Sequence, residues 1–399
     1  MKEDTKILLT KLSEIHFKEN IFKPVKLTNE GTALMKHIFR TLDSIHEVWE
    51  IRKHTIFSQI KPLSELPISD DYSFIPAKIR RDIEVACKYY VSCSFTFHER
   101  IFTVFLCSQT QNEDFTKKAI QRIYLWLSMA SEHVKSSCSK TVNLYFYFID
   151  NKKEIPTKAN EPIDLVHVNT AFTTGCQPHT NVHVFREEEW FRALIHESFH
   201  NLGLDFLQLN QRIQNQMESR IRAIFPMKID DIRFNETYCE MWAEVLNLIF
   251  IIYLSESSSS SRKINHMMSL LKKMLFFEGM FSSWQCVKLL NANNLLYEQL
   301  FDEKHASSYK EKTQGFSYYV LKSIYMVHVS QFIHFCAFSP DYFHFQLTSE
   351  SANRYTQIVE DNHHSVKFLN GIKAMEKEIP SASGFWKKTL RMSLFEEDI

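Results

Sequence analysis

The residues with the clearest chemical potential form the pentad His196-Glu197-Ser198-Phe199-His200. On an α-helix, side chains at positions i and i+4 lie on one face, so His196 and His200 can present two imidazole nitrogens to one metal ion. Glu197 is close enough to reach a water at that metal but is angled away from direct ligation. The spacing therefore predicts a zinc site with Glu197 as general base.

A catalytic zinc needs a third protein ligand and leaves its fourth position to water. Phe206 stands six residues after the second histidine, where one class of zinc enzymes has a third histidine, and it cannot ligate. A better candidate is Glu236, because Glu236, Glu240 and Glu244 recur every four residues along one predicted helix. Glu240, Asp205 or another carboxylate remains open as the third ligand, because Glu240 and Glu244 offer the same chemistry one and two turns further along.

Two predicted helices must position these side chains. The first follows the charged start at Arg186 to Glu189 and ends at Gly203, three residues past the second histidine. The second is predicted to begin with Asn235 as its N-cap and to pack through an apolar side that includes Tyr238 and Trp242. The expectation is one helix that carries the imidazoles and another that carries the carboxylates.

The combination His196-Glu197-x-x-His200 followed by Asn235-Glu236-x-x-x-Glu240 resembles the gluzincin group of zinc metallopeptidases. The resemblance covers about residues 90 to 255. It implies a zincin-like catalytic domain, one zinc ion per chain as cofactor, and a protein or peptide substrate. The abundance of Phe, Ile, Lys and Asn is also similar to that of uncharacterised zincin-like proteins of large DNA viruses.

The same resemblance implies roles for individual residues. Glu236 would be the third metal ligand, and Glu240 would be the second-shell carboxylate that orients one of the two histidines. Residues 181–185 would be the edge strand along which an extended peptide lies. The mechanism also needs a donor for the developing oxyanion, and the candidates are Tyr318, Tyr319, His328 and His334, which the sequence does not rank.

The pattern along the chain predicts an α+β fold with a twisted mixed sheet and a mainly helical C-terminal half. Residues 91–107 indicate a hairpin around His98-Glu99-Arg100, residues 141–149 a strand with one buried face, and residues 163–168 and 181–185 two shorter strands. Residues 32–53 and the stretch after Asn112 indicate helices. We expect an N-terminal mainly helical segment (1–80), a zincin-like core (81–255) and a helical subdomain that completes the cleft (256–399).

Composition limits the classes of partner. The chain has 399 residues, with 47 basic and 47 acidic side chains, and this balance removes the long-range field that draws a protein to nucleic acid or to an anionic membrane. Its longest apolar stretch, residues 246–254, is too short to span a bilayer, and no secretory signal is recognisable. Eight cysteines without close pairing indicate reduced thiols, and only seven glycines count against glycine-rich nucleotide loops.

These features predict an intracellular, cytoplasmic protein, in a host cell or virion if it is viral, that binds neither nucleic acid nor membrane. They leave the oligomeric state open. Two alternatives to the peptidase hypothesis remain. One is a catalytically inactive zincin-fold protein that acts by binding a partner, and the other is a zinc hydrolase that cleaves a bond other than a peptide bond.

Overall fold

The computed structural model describes residues 2–19, 23–55, 59–135, 137–157, 161–255 and 264–396. The chain divides into two compact units. The sheet unit comprises His37–Lys152 and Asn169–Leu207, and the helical unit comprises Met1–Lys36, Lys153–Val168 and Gln208–Asp398. The three-part division expected from the sequence stays a prediction.

The sheet unit is built on a mixed six-stranded sheet in the order β1-β2-β3-β4-β6-β5. The pairs β3-β4 and β4-β6 are parallel, while β1-β2, β2-β3 and β5-β6 are antiparallel. The α+β class is thus confirmed. The strands are β1 Gln59–Pro62, β2 Tyr89–Phe97, β3 Arg100–Ser108, β4 Thr141–Tyr147, β5 Ala171–Thr173 and β6 His179–Val184.

Helices surround the sheet and make up most of the helical unit. A π-helix, Phe316–Leu321, precedes α10 directly. The α-helices are α1 Glu3–Glu19, α2 Asn29–Arg52, α3 Ala77–Ala86, α4 Glu113–Ser131, α5 Leu165–Val168, α6 Trp190–Asn201, α7 Gln211–Ile224, α8 Phe234–Ser255, α9 Ile264–Ala292, α10 Lys322–Val327, α11 Val329–Ala337, α12 Ser349–Asn362, α13 Val366–Glu378 and α14 Gly384–Lys388.

The hairpin expected around residues 98–100 is confirmed. Phe97 pairs with Arg100, so the loop is the two-residue turn His98-Glu99. Both turn residues have positive φ, 45° and 65°, as the tight turns that follow strand twist require. Asn112 caps α4, since its side chain accepts a hydrogen bond from the Phe115 amide at 3.1 Å, and this helix start also matches the sequence prediction.

Two strand predictions are wrong. The strand expected at residues 181–185 is β6, but β6 lies inside the sheet between β4 and β5, and the edge belongs to β5. The β5 strand is only three residues long, and a strand of this length shows no recognisable alternation of apolar and polar residues. Residues 163–168 do not form a strand, because Leu165–Val168 is the short helix α5.

The expectation that all cysteines are reduced is also wrong. Cys138 and Cys176 form a disulfide, with their Cα atoms 4.8 Å apart and a sequence separation of 38. The other six cysteines form no disulfide within the described part of the chain, and all six are buried. Burial in apolar surroundings raises the pKa of Cys93 to about 12, and a thiol held protonated in this way is a poor nucleophile.

The helical unit has its own core, centred on α8 and α9. The largest fully buried side chains there include Trp242, Trp284 and Tyr238. Helix α8 is long and apolar enough to cross a membrane by length and composition, but 94% of the relevant window is buried. The buried core helix of a soluble protein can have the same length and composition, so α8 is weak evidence for a membrane span. The serine-rich tract expected to be a loop, residues 255–262, lies almost entirely outside the described residues.

Candidate metal centre

Helix α6, which carries the pentad, is buried along its whole length. Its last turn is held to α4 by Ser198, whose hydroxyl accepts a hydrogen bond from Trp126 Nε1 at 3.0 Å and donates one to the Leu194 carbonyl at 2.6 Å. Phe199 stacks on the Trp126 ring with centroids 6.1 Å apart. The two residues between Glu197 and His200 therefore anchor the helix and fix its rotation.

The C-terminal end of α6 closes in a tight turn. Gly203 has a φ of +67°, a backbone conformation that glycine adopts without strain. A Cβ at this position would lie 3.0 Å from Cys138 Sγ and 3.2 Å from Cys176 Cβ, so the disulfide also requires a glycine here. The prediction that Gly203 ends the helix is confirmed.

This turn brings Asp205 back to the helix. Asp205 Oδ2 lies 2.6 Å from His200 Nδ1, and its other oxygen accepts a hydrogen bond from the Leu207 amide at 3.3 Å. An ionised carboxylate only accepts hydrogen bonds, so we infer that His200 carries its proton on Nδ1. In this tautomer of the neutral imidazole the Nε2 atom of His200 bears a lone pair. A metal ion binds a histidine through such a lone pair.

The two imidazoles of the pentad point at each other. His196 Nε2 and His200 Nε2 are 3.1 Å apart, with the rings inclined at 73°. Two nitrogens at the usual ~2.0–2.1 Å from one tetrahedral zinc ion would lie about 3.3 Å apart. The spacing of the pair therefore fits a shared metal. A hydrogen bond between the two rings would fit the same distance. A metal site is the better explanation only if a third ligand is available to the metal.

The burial of the pair also fits a metal centre. His196 and His200 are 6% and 7% exposed, and Glu197 between them is 9% exposed. Three ionisable side chains within one helical turn are seldom buried together unless they bind or pair with something. The pentad thus has the donors, the spacing and the seclusion that a zinc site needs.

The carboxylates lie on α8 in the helical unit. Helix α8 begins at Phe234, so Asn235 lies in its first turn and is not the N-cap that the sequence predicts. Glu236, Glu240 and Glu244 are all buried, and Glu244 is fully so. Lys322 Nζ lies 2.6 Å from Glu244 Oε2 and 3.5 Å from Glu240 Oε2. These two glutamates therefore share a buried cation.

Glu236 has a different neighbour. Its Oε2 accepts a hydrogen bond from the Tyr318 hydroxyl at 3.3 Å. Tyr318 belongs to the π-helix, a rare element that often occurs at functional sites. The structure therefore brings together Glu236 and Tyr318, one predicted ligand and one predicted oxyanion donor.

The second predicted tyrosine is placed elsewhere. The Tyr319 hydroxyl donates to the Leu390 carbonyl at 2.6 Å and the residue is 2% exposed, so its proton is already used in a buried bond. His328 Nε2 bonds Ser365 Oγ at 2.9 Å, and burial lowers its pKa to about 4. His334 contacts Thr28 at 3.1 Å. Of these four predicted donors, Tyr318 is the one whose hydroxyl donates a hydrogen bond to a predicted metal ligand, Glu236.

The geometry also narrows the alternatives for the third ligand. Asp205 Oδ2 lies at Nδ1 of His200, on the opposite side of the ring from Nε2, which favours a role in orienting the ring, and its assignment as a ligand stays an untested alternative. Glu240 and Glu244 are the partners of Lys322. Glu236 is thus the best remaining candidate on α8, and its assignment as ligand stays a prediction, as does the second-shell role of Glu240.

Two residues of this region have roles that the sequence reading missed. Asp205 appears there only as a possible ligand, although a carboxylate two residues after a helix-ending glycine is well placed to turn back on the helix. Lys322 lies four residues after Tyr318, the same spacing that separates Glu236 from Glu240. The matched spacing was the available signal for Lys322, and the position after Gly203 was the available signal for Asp205.

Comparison with known proteins adds no relative, since no family model, curated protein or solved structure matches this chain. The resemblance to gluzincins accordingly depends on the quoted motifs, and the function has to be argued from the side chains themselves.

Proposed function

We propose that this protein is a zinc-dependent metallopeptidase of the gluzincin type, with a zincin-like catalytic domain. The observation that carries the proposal is the buried imidazole pair of α6, whose Nε2 atoms lie 3.1 Å apart while Asp205 holds His200 Nδ1 at 2.6 Å. A buried histidine oriented by a carboxylate is the usual arrangement of a metal ligand. A structural histidine pair has no need of Glu197 between its members.

In this proposal His196 and His200 supply two ligands and Glu236 supplies the third. A bound zinc ion would lower the pKa of a water molecule toward neutrality and polarise the carbonyl of the scissile peptide. Two neutral imidazoles and one carboxylate match the ligand set of catalytic zinc sites. They leave a net positive charge, which favours this chemistry.

Glu197 performs the proton transfers. Its carboxylate accepts the proton that the attacking water releases, and it then passes that proton to the nitrogen of the leaving amine, so it returns to its ionised form after one turnover. The burial of Glu197 excludes competing bulk water and keeps the proton on this path.

Tyr318 is the donor that we assign to the developing negative charge on the peptide oxygen. In the structure its hydroxyl donates to Glu236 at 3.3 Å, a long and readily exchanged hydrogen bond. The hydroxyl of Tyr319 is bonded at 2.6 Å to a backbone carbonyl and takes no part.

The proposal is tested by exposing a peptide library to the parent protein and to the Glu197→Gln variant, each loaded with zinc. We expect the parent to cleave peptides and Glu197→Gln to retain zinc while its cleavage rate falls by about 100- to 10,000-fold, the usual contribution of a general base. The matched control is Glu113→Gln, since Glu113 is an exposed glutamate on α4. Equal cleavage by parent and Glu197→Gln would remove Glu197 from the mechanism.

Other outcomes would favour the alternatives. Zinc binding with hydrolysis of a bond other than a peptide bond would indicate a different hydrolase at the same site. Zinc binding with no hydrolysis at all would indicate a catalytically inactive protein that acts by binding a partner.

A further inference from the structure

In the helical unit, a segment without regular secondary structure is fully enclosed. Residues Leu390–Phe395 follow α14 and have no helical or strand pairing, yet all six residues are buried, with at most 8% exposure. Buried backbone N–H and C=O groups must find hydrogen-bond partners. The Leu390 amide donates to the Lys153 carbonyl at 2.8 Å, and several of the other backbone groups bond to side chains.

The carbonyl groups of this 390–395 segment receive side-chain donors from three helices. Tyr319 of the π-helix donates to the Leu390 carbonyl at 2.6 Å, Gln285 of α9 to the Arg391 carbonyl at 2.5 Å, and Asn247 of α8 to the Phe395 carbonyl at 3.2 Å. Each donor is itself buried. The segment is held as an extended peptide would be held in a specific groove.

Glu278 of α9 receives the amides of the same segment. Its carboxylate accepts hydrogen bonds from the Leu394 amide at 3.0 Å, the Phe395 amide at 3.1 Å and the Ser393 hydroxyl at 3.2 Å. Burial, and then the nearby charge of Glu244, raise the pKa of Glu278 well above its ordinary value. The carboxyl group therefore needs the donors of the segment to compensate for its burial.

Lys322 connects this segment to helix α8, which carries Glu240 and Glu244. Its ammonium group has three donors, and it donates to the Met392 carbonyl at 2.7 Å and to Glu244 Oε2 at 2.6 Å, with Glu240 Oε2 3.5 Å away. Lys322 is 2% exposed. One buried ammonium group thus bonds the segment on one side and two consecutive turns of α8 on the other.

We propose that the 390–395 segment is a positioning element for α8 and that Lys322 is the positioning residue through which it acts. Glu236 lies one helical turn before Glu240, so an α8 that shifts or rotates when this anchorage is lost also displaces the predicted ligand and its partner Tyr318. Tyr318 and Lys322 are four residues apart on consecutive helical segments. The continuous helical stretch from the π-helix into α10 therefore bonds the 390–395 segment through Lys322 and bonds Glu236 through Tyr318.

The test compares full-length Lys322→Met with the parent by hydrogen exchange and by zinc titration. We expect amide exchange to accelerate about tenfold or more both in residues 390–395 and in the first half of α8, and the zinc dissociation constant to rise about tenfold or more, as for loss of an outer-shell support. Amides of α4, in the sheet unit, should exchange as in the parent. The control is Lys373→Met, because the Lys373–Glu298 pair is exposed.

Two further variants test the role of the Lys322 charge and provide a milder change in case Lys322→Met does not fold. Lys322→Arg retains the cation and should recover part of the zinc affinity. Ser393→Ala removes one hydroxyl bond to Glu278 and is the milder test if Lys322→Met does not fold. Faster exchange confined to residues 390–395, with α8 exchange and zinc affinity unchanged, would overturn the inference.

The metal readout depends on the proposed function, whereas the exchange readout does not. If the parent binds no zinc, the proposed function fails, and the exchange of α8 still decides whether the segment positions that helix. If the parent binds zinc and Lys322→Met changes neither readout, this inference fails and the proposed function stands.

Discussion

Helices α6 and α8 carry the predicted ligands, and the ligand-bearing stretches of the two helices have different contacts. At the pentad of α6 the contacts are the neutral Trp126–Ser198 hydrogen bond and one carboxylate at His200, while the ion pair of this helix, Arg192 with Glu189 at 3.5 Å, lies at its start. Around α8 the contacts are ionic, with Lys322 between Glu240 and Glu244. The difference follows from the ligands, since an imidazole binds metal as a neutral group whereas a row of buried carboxylates needs a cation.

Two partly buried carboxyl groups outside these helices, Asp71 and Glu311, also differ in what their surroundings do to the pKa. In the sheet unit burial opposes ionisation of Asp71, but hydrogen bonds from His183, Ser69 and Asn181 prevail and lower its pKa to about 2. In the helical unit burial dominates at Glu311 and raises its pKa to about 7. Hydrogen-bond donors thus outweigh burial at Asp71, whereas at Glu311 burial outweighs the donors, which are the Tyr309 hydroxyl and backbone amides.

Among the variants that test the difference between α6 and α8, we expect Glu236→Gln to have the largest effect on zinc affinity. An amide is a poorer zinc ligand than a carboxylate, so we expect the zinc dissociation constant to rise by more than the roughly 100-fold limit seen for outer-shell changes. Isothermal titration with zinc measures it. Glu240→Gln is the matched variant on the same face of α8 and should weaken binding less. The reverse order would make Glu240 the ligand.

A smaller effect is expected from Asp205→Asn on the imidazole side. The amide can still contact His200 but loses the charge that fixes the Nδ1 proton, so zinc affinity should fall about 10- to 100-fold. Competition with a metal-binding dye gives the affinity, and Asp231→Asn is the control because Asp231 is about half exposed. Unchanged affinity would show that Asp205 does not orient His200 for a metal.

The smallest effect is the pH dependence that Glu311 confers. Its ordinary pKa is 4.5 and its folded pKa is about 7, so the folded state holds a proton that the unfolded chain releases between these values. The contribution to stability is full below pH 4.5 and is lost as the pH rises through 7, a change of about 3 kcal/mol. Urea unfolding from pH 4.5 to 8 measures it.

Glu311→Gln provides the comparison for that titration. The amide oxygen can still accept a hydrogen bond from the Phe316 amide, which lies 2.7 Å from the Glu311 carboxylate, but it does not titrate. The difference in unfolding free energy between parent and variant should therefore fall with rising pH over this window. A difference that is constant with pH would contradict the raised pKa.

Local pattern was enough to predict the parts of the fold and site that depend on neighbours in sequence. The His98-Glu99 turn and the capping of α4 by Asn112 are of this kind, and so is the pentad. Gly203 was also identified as a helix end, because a glycine after an apolar helix is a local signal.

The features that were missed depend on pairing over distance. The disulfide joins residues 38 apart, and the edge strand β5 has only three residues, too few for a period of two to be recognised. The role of Asp205 depends on the left-handed turn at Gly203, and that of Lys322 on a segment some 70 residues away in the chain. No local pattern predicts the disulfide or β5, and the spacings of Asp205 and Lys322 indicate a role only once these contacts are known.

The most direct test of the central claim is the metal content of the purified protein. Parent protein prepared without chelators and analysed by inductively coupled plasma mass spectrometry should contain one zinc ion per chain, and folded His200→Ala prepared in parallel should contain almost none. Absence of zinc from the parent, or equal zinc in parent and His200→Ala, would contradict the proposal that the imidazole pair is a zinc site.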